Sequence, residues 1–393
     1  MVIPGFYFAK FPEIYFGPGK FKELPKLLTG FGTRILIVCG QNSFANTPKA
    51  VALAKCLQDQ GIEYAQIVVS GEPTPELVDT TVAEYQDARI NAVVGIGGGS
   101  ALDAAKAIAA MMHEPGSVVE YLEGIGKRTH SGNRLGLIAI PTTAGTGSEA
   151  TKNAVLSRIG EHGFKRSLRH DHFIPDIAIV DPELMLTCPA NVTAACGMDA
   201  LTQLLEAFVS TKANPMTDAL AFSGIEYLIP SLVQAFENGQ DLAARTNMAY
   251  AALLSGITLA NAGLGIVHGF AASIGGFFNI QHGVICGTLV NAATRVNIME
   301  LQKLKDASAS LYLSKYARVG ALMAGQSYDA TKLNFYLDCL LQRLDHWCAQ
   351  LQLPKLGIEK KDIPKILSET GNKNNPVPLS PDAMAMILTM RML

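Results

Sequence analysis

The sequence predicts an α/β half built on a parallel sheet, followed by an all-α half. Three observations carry this reading. A chain of 393 residues exceeds what one hydrophobic core ordinarily serves, so two domains are expected. Over the first part of the chain, short β-branched runs alternate with amphipathic stretches, the pattern of strands wrapped by helices. Beyond DPEL (Asp181 to Leu184) those runs stop, and alanine- and leucine-rich segments with helical spacing take over.

Taken in order, RILIVCG, EYAQIVVS, NAVVGIGG, LGLIAIPTT and DIAIVDPEL are the expected strands. Two helices between them carry start signals. Thr74 precedes Pro75 and predicts a helix over 75–88; Ser100 and Asp103 form an S-x-x-D capping box and predict a helix over 100–112. After Pro182 a loop through Pro189 leads to ACGMDALTQLLEAFVS, and then to LAARTNMAYAALLSGITLANAG. The domains are therefore placed at 1–182 and 183–393.

Composition excludes several classes. Hydrophobic residues make up 49% and charged residues 17% of the chain, enough to bury large cores and unlike a disordered segment. The longest apolar runs are short and end in glycine or proline, well under the roughly 20 residues of a membrane span, so no membrane partner is expected. MVIPGFYFAKFPEIYFG shows no basic segment followed by a long apolar one, which makes the cytoplasm the expected location. A net charge of −2 without a basic tract predicts no nucleic-acid partner. The 7 cysteines are scattered without a C-x-x-C pair and are expected to be small, buried and reduced.

Two loops and one constellation carry the chemistry. In VVGIGGGSALDAAKAIA, Gly97, Gly98 and Gly99 lie between a buried strand and a helix start, where bare amides and the helix dipole suit a pyrophosphate. PTTAGTGSEAT (Pro141 to Thr151) follows the next strand with hydroxyls and further amides. Loops at the carboxyl ends of neighbouring parallel strands converge on one ligand, and a dinucleotide has the right size. The spacing departs from G-x-G-x-x-G, which predicts a different dinucleotide-binding α/β domain. In the helical half, Asp199 and Gln203 are four apart and share a helix face, while His268 and His282 each precede a glycine in apolar sequence. One aspartate and two imidazoles with an open position form the pattern of a catalytic divalent metal. His170 and His172, in the polar RHDHF, are read as solvated rather than ligating.

Together GGGSALDAAKA, PTTAGTGSEAT, DPEL, GMDALTQLLEAF, VHG and QHG resemble the iron-containing (group III) alcohol dehydrogenases of the dehydroquinate synthase-like superfamily. The match in order and spacing runs from FGPGKFKEL to NPVPLSPDAM. The resemblance implies an N-terminal dinucleotide-binding domain, an all-α metal-binding domain, an active site in the cleft between them, and a homodimer. It assigns Gly97, Gly98, Gly99, Ser100 and Asp103 to the cofactor phosphates, Thr142, Thr143 and Thr146 to the nicotinamide half, and Asp199, His268 and His282 to the metal and to catalysis. Small alcohols and their aldehydes or ketones are the implied substrates.

The chain departs from that family at two positions. Gln203 stands where iron-type members carry a histidine, and Ala272 where many carry the second histidine of H-G-x-x-x-H, the usual proton relay. Gln203 is expected to ligate through its amide oxygen, to bind a substrate hydroxyl, or to mark a lost metal site. The metal is Fe2+ or Zn2+, since zinc-using relatives manage with an aspartate and two histidines. In CGQNSF, Gly40 occupies a position where NAD-using members often have aspartate, and Asn42 and Ser43 offer hydrogen bonds, so NAD or NADP is expected with a lean toward NADP. A small, mostly apolar pocket near Phe270, Phe277 or Phe278 is expected. Two other readings compete: a nucleotide-binding relative with a degenerate metal site, and a dehydroquinate synthase-like lyase, which would need a basic pocket.

Overall fold

The computed structural model describes residue 3, residues 5–160 and residues 163–392. Among the described residues there are eight strands, β1 (Glu13–Phe16), β2 (Arg34–Gly40), β3 (Glu63–Val69), β4 (Ala92–Gly97), β5 (Gly136–Pro141), β6 (Asn153–Arg158), β7 (Phe164–Arg169) and β8 (Ile177–Val180). Six of them form one parallel sheet in the order β1-β8-β5-β4-β2-β3. Its central strands are buried on both sides, as a parallel sheet covered by helices requires. Ile35, Ile37 and Cys39 of β2 face α1 (Leu24–Leu28) and α2 (Pro48–Asp59), while Leu36 and Val38 face the layer of α3 (Pro75–Tyr85) and α4 (Gly99–Met111).

The strand order reverses between β2 and β4. Such a switch point opens a crevice at the carboxyl ends of the two strands. Gly40 and Gly97 end those strands, and a Cβ on Gly97 would come within 3.1 Å of the Gly40 amide nitrogen. The expected strands are all present. The sequence reading missed β1, a short edge strand with three half-buried residues, and the antiparallel β6-β7 hairpin.

Thr74 caps α3 as expected, accepting from the Leu77 amide at 3.2 Å, but the helix ends at Tyr85 rather than 88. The expected capping box on α4 is corrected. Gly98 is the cap residue without a side-chain bond, and the Asp103 carboxylate is used elsewhere. It accepts from Ser148 Oγ at 2.5 Å and from the Val155 amide at 3.0 Å, and it pairs with Lys106 at 3.1 Å, tying α4 to the loop after β5 and to β6.

From Ala190 onward the structure is helical: α5 (Ala190–Phe208), α6 (Pro215–Glu237), α7 (Leu242–Ala262), α8 (Ile266–Phe277), α9 (His282–Lys303), α10 (Ala307–Met323), α11 (Leu333–Gln350), α12 (Ile363–Ser368) and α13 (Pro381–Met392). Helix α6 is long and apolar enough to cross a membrane by length and composition, a helix the run-by-run reading overlooked; it carries Pro230, and its buried face, with Ile225, Leu228 and Leu232, joins the helical core. That core also takes in Ala150, Ala178 and Val180, so the two halves share packed surface. Gly147 makes the closest approach. Its φ of +60° is left-handed, and a Cβ there would meet the Gly256 nitrogen of α7 at 2.4 Å. Of the seven cysteines, only Cys39, Cys286 and Cys348 are buried; Cys56 is exposed, which corrects the expectation for the set.

Candidate active site

A cavity of about 400 Å3 lies in the cleft between the sheet and the helices. Gly98, Gly99, Ser100, Asp103, Thr143 and Thr146 line it from the α/β half, and Asp199, Gln203, His268 and His282 from the helical half. A groove continues from it to Gly40, past Gly98 and Ser100. Glycine is required at 99, where a Cβ would lie 2.7 Å from Thr146 Cγ2, so the two loops pack too closely for a side chain. The start of α4 thus opens onto the cleft with its free amides. Thr142 is turned inward instead, 2% exposed with its hydroxyl unpaired. Asn42 is exposed and Ser43 half-buried on the turn after β2. Asp103 reaches the cavity wall, but its bonds to Ser148, Val155 and Lys106 make it a brace for the second loop, and a carboxylate there would repel a phosphate.

Three helices bring the expected metal residues together. Asp199 lies mid-way along α5, His268 in the first turn of α8, and His282 opens α9. His268 Nε2 is 3.4 Å and His282 Nε2 3.6 Å from Asp199 Oδ1. That oxygen is buried without a hydrogen-bond donor, and a buried carboxylate oxygen facing two imidazole nitrogens is an arrangement a cation completes. The residues therefore fit a divalent metal. Burial holds the His282 ring down to about 4, so it stays a neutral donor near pH 7. For His268 burial opposes protonation, but Cys286, Asp199 and Glu206 outweigh it and raise its pKa well above the usual range. Burial likewise pushes Asp199 upward, and His282 and His268 reverse that to a net lowering.

Glu206, which the sequence reading missed, positions His268. Its carboxylate sits 2.7 Å from His268 Nδ1 and accepts from the Val267 amide at 2.7 Å. A carboxylate on Nδ1 fixes the tautomer that directs Nε2 at the metal. Its spacing of seven from Asp199 on one helix was the available signal. Replacing Glu206 with Gln is expected to lower metal affinity by roughly 10- to 100-fold, read by competition with a chromophoric chelator.

Gln203 is brought beside Asp199 but faces another way than a ligand would. Its Nε2 donates to Asp199 Oδ2 at 3.2 Å, and its Oε1 accepts from Ser255 Oγ at 2.7 Å. Reversing the amide would set its oxygen against the carboxylate.

The cavity wall is mostly apolar, with Val192, Leu259, Leu264 and Ala272 in it, but the expected phenylalanines are not part of it. Phe270 is buried in the helical core, Phe277 lies under Lys365, and Phe278 lines only the adjoining groove. Lys165, Arg169 and Lys373 line the cavity instead. Lys165 pairs with Glu72 at 2.9 Å, Arg169 with Glu123 at 3.0 Å, and Lys373, on a residue with φ 49°, donates to the His268 carbonyl at 2.8 Å. None of the three was expected: Lys165 and Arg169 arrive on the unexpected hairpin, and Lys373 comes from the helical half, where no basic cluster was foreseen. Ala272 presents a methyl to the same cavity. His170 and His172 lie away from it and pack edge to face with each other, ring centroids 4.9 Å apart.

Residues 12–182 match the model of the iron-containing alcohol dehydrogenases, and residues 193–392 that of the C-terminal part of the Fe-containing alcohol dehydrogenase family. A long-chain-alcohol dehydrogenase of Geobacillus thermodenitrificans is 45% identical over 275 residues, 69% of this chain and 68% of that one. Among solved structures, a 1,3-propanediol oxidoreductase superposes with a TM-score of 0.86 at 28% identity, covering 99% of this chain and 100% of the other. The sulfoacetaldehyde reductase of Bifidobacterium kashiwanohense, in complex with NAD+, superposes with a TM-score of 0.82 at 25% identity over 99% of each chain. These matches favour the dehydrogenase over the lyase. The chain belongs to the iron-containing alcohol dehydrogenase family and is an oxidoreductase that interconverts an alcohol and its carbonyl compound.

Proposed function

We propose that the chain is a cytoplasmic, homodimeric dehydrogenase of small alcohols, with its two halves divided near residue 182 and its reaction centre at Asp199, His268 and His282. The observation that carries this is the orphaned Asp199 Oδ1 facing both imidazoles at the floor of a cleft whose other wall is a glycine-rich helix start. When bound, the divalent cation polarises the substrate oxygen and the nicotinamide takes up or delivers the hydride. Asp199, His268 and His282 would hold that cation. Gln203, bridged to Ser255, keeps Asp199 Oδ2 occupied so that Oδ1 faces the site; Glu206 holds the His268 ring. Gly98, Gly99 and Ser100 would receive the pyrophosphate on the α4 amides, with Thr143 and Thr146 along the nicotinamide half. Association is supported by exposed Phe6, Tyr7 and Phe11, which precede β1 at the open edge of the sheet.

The complex of the sulfoacetaldehyde reductase supports NAD+, and Gly40 places no carboxylate against a 2′-phosphate, which supports NADP+ as well. Wild-type kcat/KM values for the two nucleotides are expected within about tenfold of each other. Gly40→Asp is expected to reduce NADP+ use by about tenfold or more while retaining NAD+. A Cβ at position 40 clashes with Ser43 Oγ, a hydroxyl that can rotate away, and otherwise makes ordinary contacts with Ser43 Cβ and Gly97 Cα. The test of the whole reading is elemental analysis of anaerobically purified protein, together with propan-1-ol oxidation assayed with each nucleotide. About one iron or zinc per chain with metal-dependent turnover supports it. Metal-free protein that takes up neither ion overturns it.

A further inference from the structure

Asp199, His268 and His282 leave one corner of the candidate metal site to be filled. Gln203 occupies the position of the family's additional histidine, yet its oxygen is engaged by Ser255 and its nitrogen by Asp199. One turn after His282 on α9 lies Cys286, buried, with its Sγ 3.6 Å from His268 Nε2 and 3.7 Å from His282 Nε2. The donor atoms of Asp199, His268, His282 and Cys286 all lie within 4.8 Å of one another.

Four of the six separations have the size of the edges of a metal tetrahedron. With bonds of about 2.0–2.1 Å to nitrogen or oxygen and about 2.3 Å to sulfur, tetrahedral angles set nitrogen–oxygen edges near 3.4 Å and nitrogen–sulfur edges near 3.6 Å. The observed nitrogen–oxygen edges are 3.4 and 3.6 Å, and the nitrogen–sulfur edges 3.6 and 3.7 Å. The geometry points to Cys286 as the fourth protein ligand of the divalent cation, a thiolate in place of the imidazole that Gln203 lacks, with the substrate oxygen entering as a fifth donor. This rests on the reading that the cleft holds a metal. On binding, the Sγ–H bond breaks, its proton leaves to solvent, and a sulfur–metal bond forms with no change of oxidation state. A carboxylate, two imidazoles and a thiolate make a softer donor set than one carboxylate with three imidazoles, and they favour zinc or cobalt(II) over iron(II).

A purely structural role has a simpler account, in which the thiol fills a gap between α8 and α9 and bonds to the imidazoles. Cobalt(II) separates the two. The metal-stripped full-length protein, loaded with cobalt(II), is expected to show the intense near-ultraviolet charge-transfer band of a cobalt-bound thiolate. Cys286→Ser should lose that band and weaken zinc binding by about tenfold or more. The double variant Cys286→Ser, Gln203→His should regain zinc affinity without regaining the band. Cobalt bound by the wild type with no thiolate band, or a band that persists in Cys286→Ser, overturns the assignment while leaving the metal site standing. Failure of the wild type to bind cobalt, zinc or iron removes the metal reading, and this proposal with it.

Discussion

Replacing His268 with alanine is expected to remove nearly all alcohol oxidation while the protein still binds nucleotide. The imidazole is held from both sides, by Glu206 on Nδ1 at 2.7 Å and with Nε2 facing Asp199 Oδ1 at 3.4 Å. Its loss removes a metal donor and leaves two buried carboxylates without the group between them. Lewis-acid polarisation of the substrate oxygen contributes several kcal/mol to the barrier, so kcat is expected to fall by about a thousandfold or more. Gly98, Ser100 and Thr143 come from the other half of the molecule and touch none of this. The dissociation constant for NADH, read by fluorescence titration, should therefore stay within about threefold of wild type, since residues without shared partners act independently. His268→Gln, which keeps polar bulk in the cavity, serves as the second variant if alanine compromises folding. Turnover unchanged in either protein would remove His268 from the site.

The sheet was legible because its strands obey one rule. Ile35, Ile37 and Cys39 bury one face and Leu36 and Val38 the other, so the run is apolar throughout, as a doubly covered parallel strand must be. The hairpin escaped that rule. In β6 and β7, Ala154, Leu156 and Leu168 pack inward against α4 while Asn153, Val155, Lys165, Ser167 and Arg169 face the cleft, a half-polar alternation inside a segment that looks like loop. Five cleft residues were missed with it. The capping signal at Ser100 and Asp103 misled for a related reason: an S-x-x-D spacing describes a local bond, whereas the carboxylate was recruited by Ser148 and Lys106 through tertiary packing. In the candidate site, Asp199, His268 and His282 stood out as polar residues in apolar sequence. Glu206 and Cys286 were marked only by helical spacing from residues already singled out, seven after Asp199 and four after His282. Lys373 had no local mark, because it enters the cleft from a loop near the C-terminus with left-handed backbone.

Lys106→Met is expected to cost about 3–5 kcal/mol of folding stability, the range for breaking a buried ion pair from one side. The side chain is 1% exposed, and its ammonium group is fully used, by the Ser148 carbonyl at 3.0 Å, Thr151 Oγ1 at 2.9 Å, the Asn153 carbonyl at 2.5 Å and Asp103 Oδ1 at 3.1 Å. Burial pushes the lysine pKa down and that of neighbouring Glu149 up to about 7, so the pocket already tolerates charge poorly. Methionine supplies the volume of the lysine stem but removes the positive charge beside Asp103, whose carboxylate keeps the Ser148 hydroxyl and the Val155 amide. The urea midpoint should drop with an unchanged slope, which identifies a loss of stability rather than a change in the unfolded chain. If the cost comes from the stranded carboxylate, Lys106→Met combined with Asp103→Leu should recover much of it, because a buried pair replaced on both sides by apolar groups is often neutral. The double variant should nevertheless bind nucleotide less tightly than wild type. Asp103 also anchors Ser148 and the Val155 amide, and with them the loop that presents Thr143 and Thr146 to the cleft. Restored stability with weakened nucleotide binding would separate the two roles of this brace. Full recovery of both would mean that packing around Gly147 and Gly256 alone holds the loop in place.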